Sequence, residues 1–400
     1  MSNNWFDSND NNQKSMNVVA NEDVHIFEKA SNGFPKSSLI LPPMNAYASY
    51  TRNKSQSSFS ATSLSTNSQI DVWIKANGFI SSSVANLIVT NNSLANVNFL
   101  PQFFANRIEF LDSNGAILDT IYADNLYLKL IHYDINETKR IALAEGFSAT
   151  TFNSDAPILP SASREYLIEI PSIFSYNAMK LSSLNDRVIV RFYLNSLSAD
   201  IPSSITITQL DILTRGVSLT PTHEMAETKR KRYGLSKFHF LSPIRVASQT
   251  LNLAPNSQYD IRLTSANSYS AYLLMVIRPS VLTYANQNVF QPIDRVELLD
   301  QNATIVGITS SNLLLRTVTS QQFVGDIINV KPGIYCIPFA TSIKLANNGS
   351  VTGYYRMTSN ELLRFYTEGT IVPGAYTVSI YSYDYNTAQI LDGSLTAVKY

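Results

Sequence analysis

Two long stretches of this sequence carry the same pattern in the same order. LSTNSQIDVWIK, beginning at Leu64, returns as LAPNSQYDIRLT, beginning at Leu253; Leu, Asn, Ser, Gln and Asp are kept, and Val72 and Ile74 give way to Ile261 and Leu263, a shift of 189. RIEFLDSNGAILDTIYADNLYLKLI, Arg107 to Ile131, returns as RVELLDQNATIVGITSSNLLLRTV, Arg295 to Val318, at a shift of 188. Asn125 then matches Asn312 at 187, so the unit has lost one residue. Further on, YLIEIP ending at Pro171 corresponds to GIYCIP ending at Pro338, and RFY at Arg191 to RFY at Arg364. Four matches in one order, with slowly drifting shifts, identify a duplication, and a duplicated chain folds as two copies of one unit.

The repeated unit is built of strands. Ile70, Val72 and Ile74 alternate along SQIDVWIK, and NLIVT, RIEFL, AILDTIY, YLIEI, DRVIVRFYL and SITITQLDIL follow between Asn, Ser, Gly and Pro breaks. The same texture resumes after Tyr233 and runs to Tyr400. Many short strands with little helix predict an all-β chain of sandwiches or barrels. The expected division is an N-terminal arm over 1–55, a first module over 56–218, a basic linker over 219–236 and a second module over 237–400. The arm ends in LPPMNAYASYTRNKSQSS, read as extended linker because each Pro biases the residue before it away from helix.

Inside the unit the alternation assigns faces. Ile108 and Phe110, and in the second copy Val296 and Leu298, should point into a core, with Arg107 and Glu109, or Arg295 and Glu297, pointing the other way. Ser113, Asn114 and Gly115 supply the turn, Gly115 tolerating a positive φ. The second copy has Ala303 in place of Gly115 and is one residue shorter, so its turn must differ. Asp124 is placed to cap a helical segment Asn125 to His132, as Ser311 is for Asn312 to Val318.

No catalytic constellation emerges. HEMAE at His223 begins like a zinc-protease helix but has Glu227 where the second His is needed, and His25, His132 and His239 are scattered. Phosphate-loop, dinucleotide and nucleophile-elbow motifs are absent, and no cofactor is implied. Pairs such as Asp119 and Asp124 read as turn and cap residues. The single cysteine, Cys336, cannot form an intrachain disulfide and reads as a small buried side chain. The one dense charge run, Lys229, Arg230, Lys231 and Arg232, could meet phosphates of nucleic acid or lipid, or serve as a solvated connector. MSNNWFDSNDNNQK lacks the basic start and apolar stretch of a secretory signal, so synthesis in a cytoplasm is expected. Charged residues make up only 15% of the chain against about 25% in an average soluble protein, a surface suited to being covered by neighbours.

A tandem of similar β-modules, an arm, a low-charge surface and the unit RIEFLDSNGAILDTIYADNLY together resemble the double jelly-roll major capsid proteins of the tectivirus and adenovirus lineage. The resemblance implies two tandem jelly-roll β-sandwiches with short helices in the connecting segments, and a non-enzymatic structural role. It further implies a homotrimer whose six jelly rolls form a pseudo-hexagonal capsomer of an icosahedral virion shell. Its partners would be neighbouring capsomers, minor capsid and vertex proteins, and an internal membrane or genome reached by the arm or basic linker. The competing reading is a carbohydrate- or receptor-binding β-sandwich, a spike or adhesin, for which the 22 tyrosines would furnish the contact surface.

Overall fold

The computed structural model describes residues 46–54, 62–63, 69–74, 79–112, 114–172, 179–180, 188–195, 205–219, 236–264, 268–300, 303–309, 323, 327–343, 346, 351–358, 360–391 and 394–399. The basic run at Lys229 to Arg232, the HEMAE segment, most of the arm, and the Ser311 to Val318 segment lie outside them.

Eight principal strands build each module. In the first they are β1 (Ala46–Lys54), β2 (Gln69–Ile74), β3 (Phe79–Asn91), β4 (Ala105–Leu111), β5 (Ile117–Tyr122), β6 (Ser163–Ile170), β7 (Val188–Leu194) and β8 (Ile205–Leu219). In the second they are β9 (Ser236–Leu253), β10 (Gln258–Arg262), β11 (Ser268–Pro279), β12 (Ile293–Asp300), β13 (Ala303–Thr309), β14 (Ile334–Pro338), β15 (Glu361–Thr367) and β16 (Gly374–Leu391). The first module pairs them as β1-β8-β3-β6 and β2-β7-β4-β5, the second as β9-β16-β11-β14 and β10-β15-β12-β13, antiparallel throughout. Strands that alternate between two facing sheets in this order make a jelly roll. The expected pair of tandem jelly rolls is therefore present, each strand of one copy matching the strand eight places later.

The duplication extends to irregularities of register. The β4/β7 ladder slips between Ala105 and Arg107, and the β12/β15 ladder slips between Ile293 and Arg295. A second slip falls between Phe110 and Leu111 in one copy and between Leu298 and Leu299 in the other. Such bulges re-aim side chains, and here they set the same residues facing outward in both copies. The turn between β4 and β5 has Gly115 at φ 85°, with Asp112 Oδ1 accepting from the backbone N–H of Asn114 and Ala116. In the second copy Asp300 pairs directly with Ala303, so the two copies differ here as the shorter repeat requires.

Inner faces alternate as expected. Ile70, Val72, Ile108, Phe110, Val190, Phe192, Leu87 and Ile212 meet in the first core, and Ile261, Val296, Leu298, Leu363, Phe365, Met275 and Ile380 in the second. On the outward side of each β2-type sheet runs a duplicated charged row. Arg191 holds Asp71 through Nε and Nη2 at 2.9 and 3.0 Å, and Arg364 holds Asp260 at 2.8 and 2.8 Å. Arg107 lies over the Tyr193 ring and Arg295 over the Tyr366 ring, each with a neighbouring glutamate, Glu109 or Glu297. Pairs this open to solvent add little to stability. Their value here is as markers: the two copies retain the same outward side-chain packing.

One boundary differs from expectation. Residues 46–54, read from the sequence as the end of the arm, form β1 and pair with β8 from Ala46↔Leu219 to Lys54↔Asp211. Local signals favoured a linker because prolines precede the segment; the strand is fixed by its distant partner.

Candidate functional site

Between β5 and β6 the first module makes a helical excursion. A short helix α1 (Ala123–Leu128) runs on as a 3-10 turn (Lys129–His132), and α2 (Ile135–Glu145) follows. Asp134 caps α2 by accepting from the N–H of Asn136 and Glu137 at 2.9 and 2.8 Å. Gly146 ends α2 at φ 67°, where any Cβ would meet the Tyr166 ring at 2.6 Å. Lys129 and Glu145 pair inside this excursion, Gln102 donates to the other carboxylate oxygen of Glu145 at 2.8 Å, and the Glu169 N–H donates to Glu145 Oε1 at 2.9 Å. Burial nevertheless leaves the Glu145 carboxyl titrating above its ordinary range.

Leu126 of the excursion enters the first-module core, but most of its apolar side chains turn the other way. Leu100, Phe103, Tyr127, Leu128, Leu130, Ile131, Ile141 and Phe152 join Leu241, Tyr272, Leu274, Val276, Ile334, Cys336, Tyr381, Tyr383 and Tyr385 of the second module in a third apolar core. This core is the seam between the two jelly rolls. Its floor is the outer face of the β9-β16-β11-β14 sheet, and β11 shows how the sequence supplies it. Along AYLLMVI, Leu273, Met275 and Ile277 enter the second-module core while Tyr272, Leu274 and Val276 enter the seam. A strand buried on both faces reads as a continuous apolar run. Tyr381, Tyr383 and Tyr385 do the same along β16, with the Tyr272 and Tyr383 rings stacked at 4.3 Å.

Arg278 is the next seam-facing position after Val276, and it is buried. Its guanidinium pairs with Asp124 at the start of α1, lies 4.3 Å from the Phe103 ring centre and donates to the Gln287 carbonyl. Asp124 Oδ2 accepts from the Tyr381 hydroxyl at 2.6 Å. Burial first, and the Asp124 carboxylate second, push the Tyr381 phenol well above its ordinary value, so it stays a donor. Asp124 is therefore not the helix cap. Asn125 takes that part, its Oδ1 accepting from the Tyr122 N–H at 3.1 Å while its Nδ2 donates to the Tyr383 hydroxyl at 3.1 Å. Across the same seam Ser242 donates to Asp119 at 3.0 Å, Asn288 donates to the Phe152 carbonyl at 3.0 Å, and Lys331 donates to Asn153 at 2.7 Å. Two carboxylates read from the sequence as turn and cap residues are thus the polar joints of the two modules.

His132 closes the seam beside the Tyr272 and Phe323 rings, its Nε2 at 3.4 Å from the Tyr272 hydroxyl. Burial of the imidazole pushes its pKa from 6.5 down to about 3. The unfolded chain takes up a proton as pH falls through about 6.5, and the folded chain does not until about 3. Stability from this group is complete above 6.5 and declines as pH falls between those values. Urea midpoints at pH 7 and pH 5 are expected to differ less in His132→Phe than in the parent chain; an equal difference would show that the imidazole is solvated in the fold.

Cys336 is buried in the seam and its thiol is raised by burial, as suits an inert side chain. Among the described residues no cluster of His, Cys, Asp or Glu could hold a metal, and no helix is long and apolar enough to cross a membrane. The geometry of the site is that of a joint.

Comparison with solved structures follows the same lines. VP54 of PBCV-1, fitted into a reconstruction of the virophage Sputnik, superposes with a TM-score of 0.69 over 89% of this chain and 97% of its own at 13% identity. The Faustovirus major capsid protein superposes with a TM-score of 0.62 over 94% of this chain and 99% of its own at 11% identity. The fold is a double jelly roll. The mavirus major capsid protein has it too, at a TM-score of 0.51 and 10% identity over 92% of this chain and 94% of its own. No protein-family model and no curated protein matches the sequence.

Proposed function

We propose that the chain is a major capsid protein whose double jelly rolls trimerise into pseudo-hexagonal capsomers of an icosahedral virion shell. The observation that carries this reading is the superposition on major capsid proteins over nearly the whole of both chains.

The seam adds a physical argument for the trimer. It is heterologous: the β5 and α1 side of one jelly roll rests on the outer face of the β1-type sheet of the next. In this reading the faces that a neighbouring copy meets are the outer face of β1-β8-β3-β6 and the β13 side of the second module. On the first, Val84, Ile88, Leu167 and Leu213 are half-buried around Asn86 and Asp211; on the second, Ile305 is exposed. A heterologous contact repeated between copies closes only if its rotation does, and three copies make a ring of six modules. Neighbouring capsomers, minor capsid and vertex proteins are the further partners in this reading. The N-terminal arm and Lys229 to Arg232 would reach toward a membrane or genome.

The tyrosines that favoured a sugar-binding surface weigh on the same side. Tyr127, Tyr166, Tyr272, Tyr335 and Tyr381 are fully buried, in the seam or the cores. The oligomer formed by the purified chain tests the proposal: about 134 kDa is expected, three times 44.5 kDa, and a stable monomer of 44.5 kDa would contradict it.

A further inference from the structure

A cleft of about 380 Å³ opens where β4, β5 and β7 of the first jelly roll meet β9 of the second, lined by Asn106, Arg107, Tyr122, Tyr193, Leu194 and Arg245. Its wall is a row of alternating rings and guanidiniums. Arg107 lies 4.0 Å from the Tyr193 ring centre, Tyr122 stands opposite Arg107 in the β4/β5 ladder, and Arg245 lies 4.4 Å from the Tyr122 ring centre. A guanidinium laid on a ring is held in orientation and donates from its edge. One carboxylate faces the row: Glu109, 2.9 Å from Arg107 Nε, with its other oxygen accepting from the Tyr193 hydroxyl at 2.9 Å. No carboxylate pairs with Arg245 among the described residues. Two fixed cations against one buried carboxylate leave the cleft with an excess of positive charge.

We propose that this cleft binds a phosphate-class oxyanion, held between Arg245 of the second module and Arg107 of the first. A carboxylate has two oxygens and is satisfied by a single guanidinium fork, whereas a phosphate has oxygens and charge enough for two forks. The chemistry fits free phosphate or pyrophosphate and equally a phosphate monoester on a lipid headgroup. The second copy cannot repeat the site: Arg295 lies over Tyr366, but Thr309 stands opposite it where the first copy has Tyr122. One site per chain follows. The cleft lies within a single chain, so the inference does not rest on capsid assembly.

Titration of the full-length chain with pyrophosphate in chloride buffer is expected to give saturable binding at one equivalent per chain, weakening as salt is raised. Arg245→Ala should weaken it at least ~10-fold, as loss of charged hydrogen bonds does, and Arg245→Lys should restore part of it. Arg140→Ala removes a cation 68% exposed on α2 and should leave binding unchanged. Flotation with phosphatidylcholine vesicles, with and without phosphatidic acid, distinguishes the sources. Capture by the phosphatidic acid vesicles that is lost in Arg245→Ala assigns the headgroup; saturable pyrophosphate binding without capture assigns the free anion. Absence of both, or equal losses in Arg245→Ala and Arg140→Ala, would overturn the proposal.

Discussion

Asp124→Ala is expected to destabilise the folded chain by about 3–5 kcal/mol, because it strands the buried Arg278 guanidinium without a counter-charge. The partners explain the size. Arg278 has a side chain 7% exposed and is enclosed by Phe103, Phe290 and the Gln287 carbonyl, none of which carries negative charge. Tyr381 would also lose the acceptor of its hydroxyl. Replacing both charges by apolar residues of similar volume, Asp124→Leu with Arg278→Met, should recover much of the loss, since removing a buried pair together costs far less than breaking it. Urea unfolding of the parent, the two single variants and the double variant gives the coupling. If Asp124→Ala falls within about 0.5 kcal/mol of the parent, the pair is solvated and the two jelly rolls are not joined through it.

The second large effect lies on the outer face of the β1-β8-β3-β6 sheet. Leu167→Arg combined with Leu213→Arg should abolish trimers while leaving the monomer folded. Both residues sit on the outward side of the β1-β8-β3-β6 sheet, Leu213 opposite Val84 and Leu167 opposite Asn86, and neither belongs to a core cluster. Each guanidinium carried unpaired into an interface costs about 3 kcal/mol or more, so the association constant should fall by at least ~10⁴-fold for the two together. Leu143→Arg, at a residue 87% exposed on α2, is the control and should assemble normally. Trimers that survive the double substitution would place the intermolecular contact elsewhere.

Much of this architecture could be read from residue order alone, and particular residues show why. The register mark at Arg107 and Arg295 identified the duplication because a bulge and an outward charged row constrain the same side chains in each copy. Gly115 was legible because its φ of 85° admits few other residues. Asp124 was misassigned by a local rule that is sound for isolated helices; its partner Arg278 is 154 residues away, beyond any window. The seam itself left a signal that went unused. AYLLMVI is apolar on both faces in an antiparallel sheet, where one face is ordinarily wet, and that alone announces a covered outer surface. The cleft at Arg245 left none, since it exists only where the two copies meet.

Electron microscopy of the purified chain tests the central claim most directly. Particles with six lobes arranged as three related pairs, each lobe one jelly roll, are the predicted result. Isolated two-lobed particles at concentrations where the mass is that of one chain would contradict it.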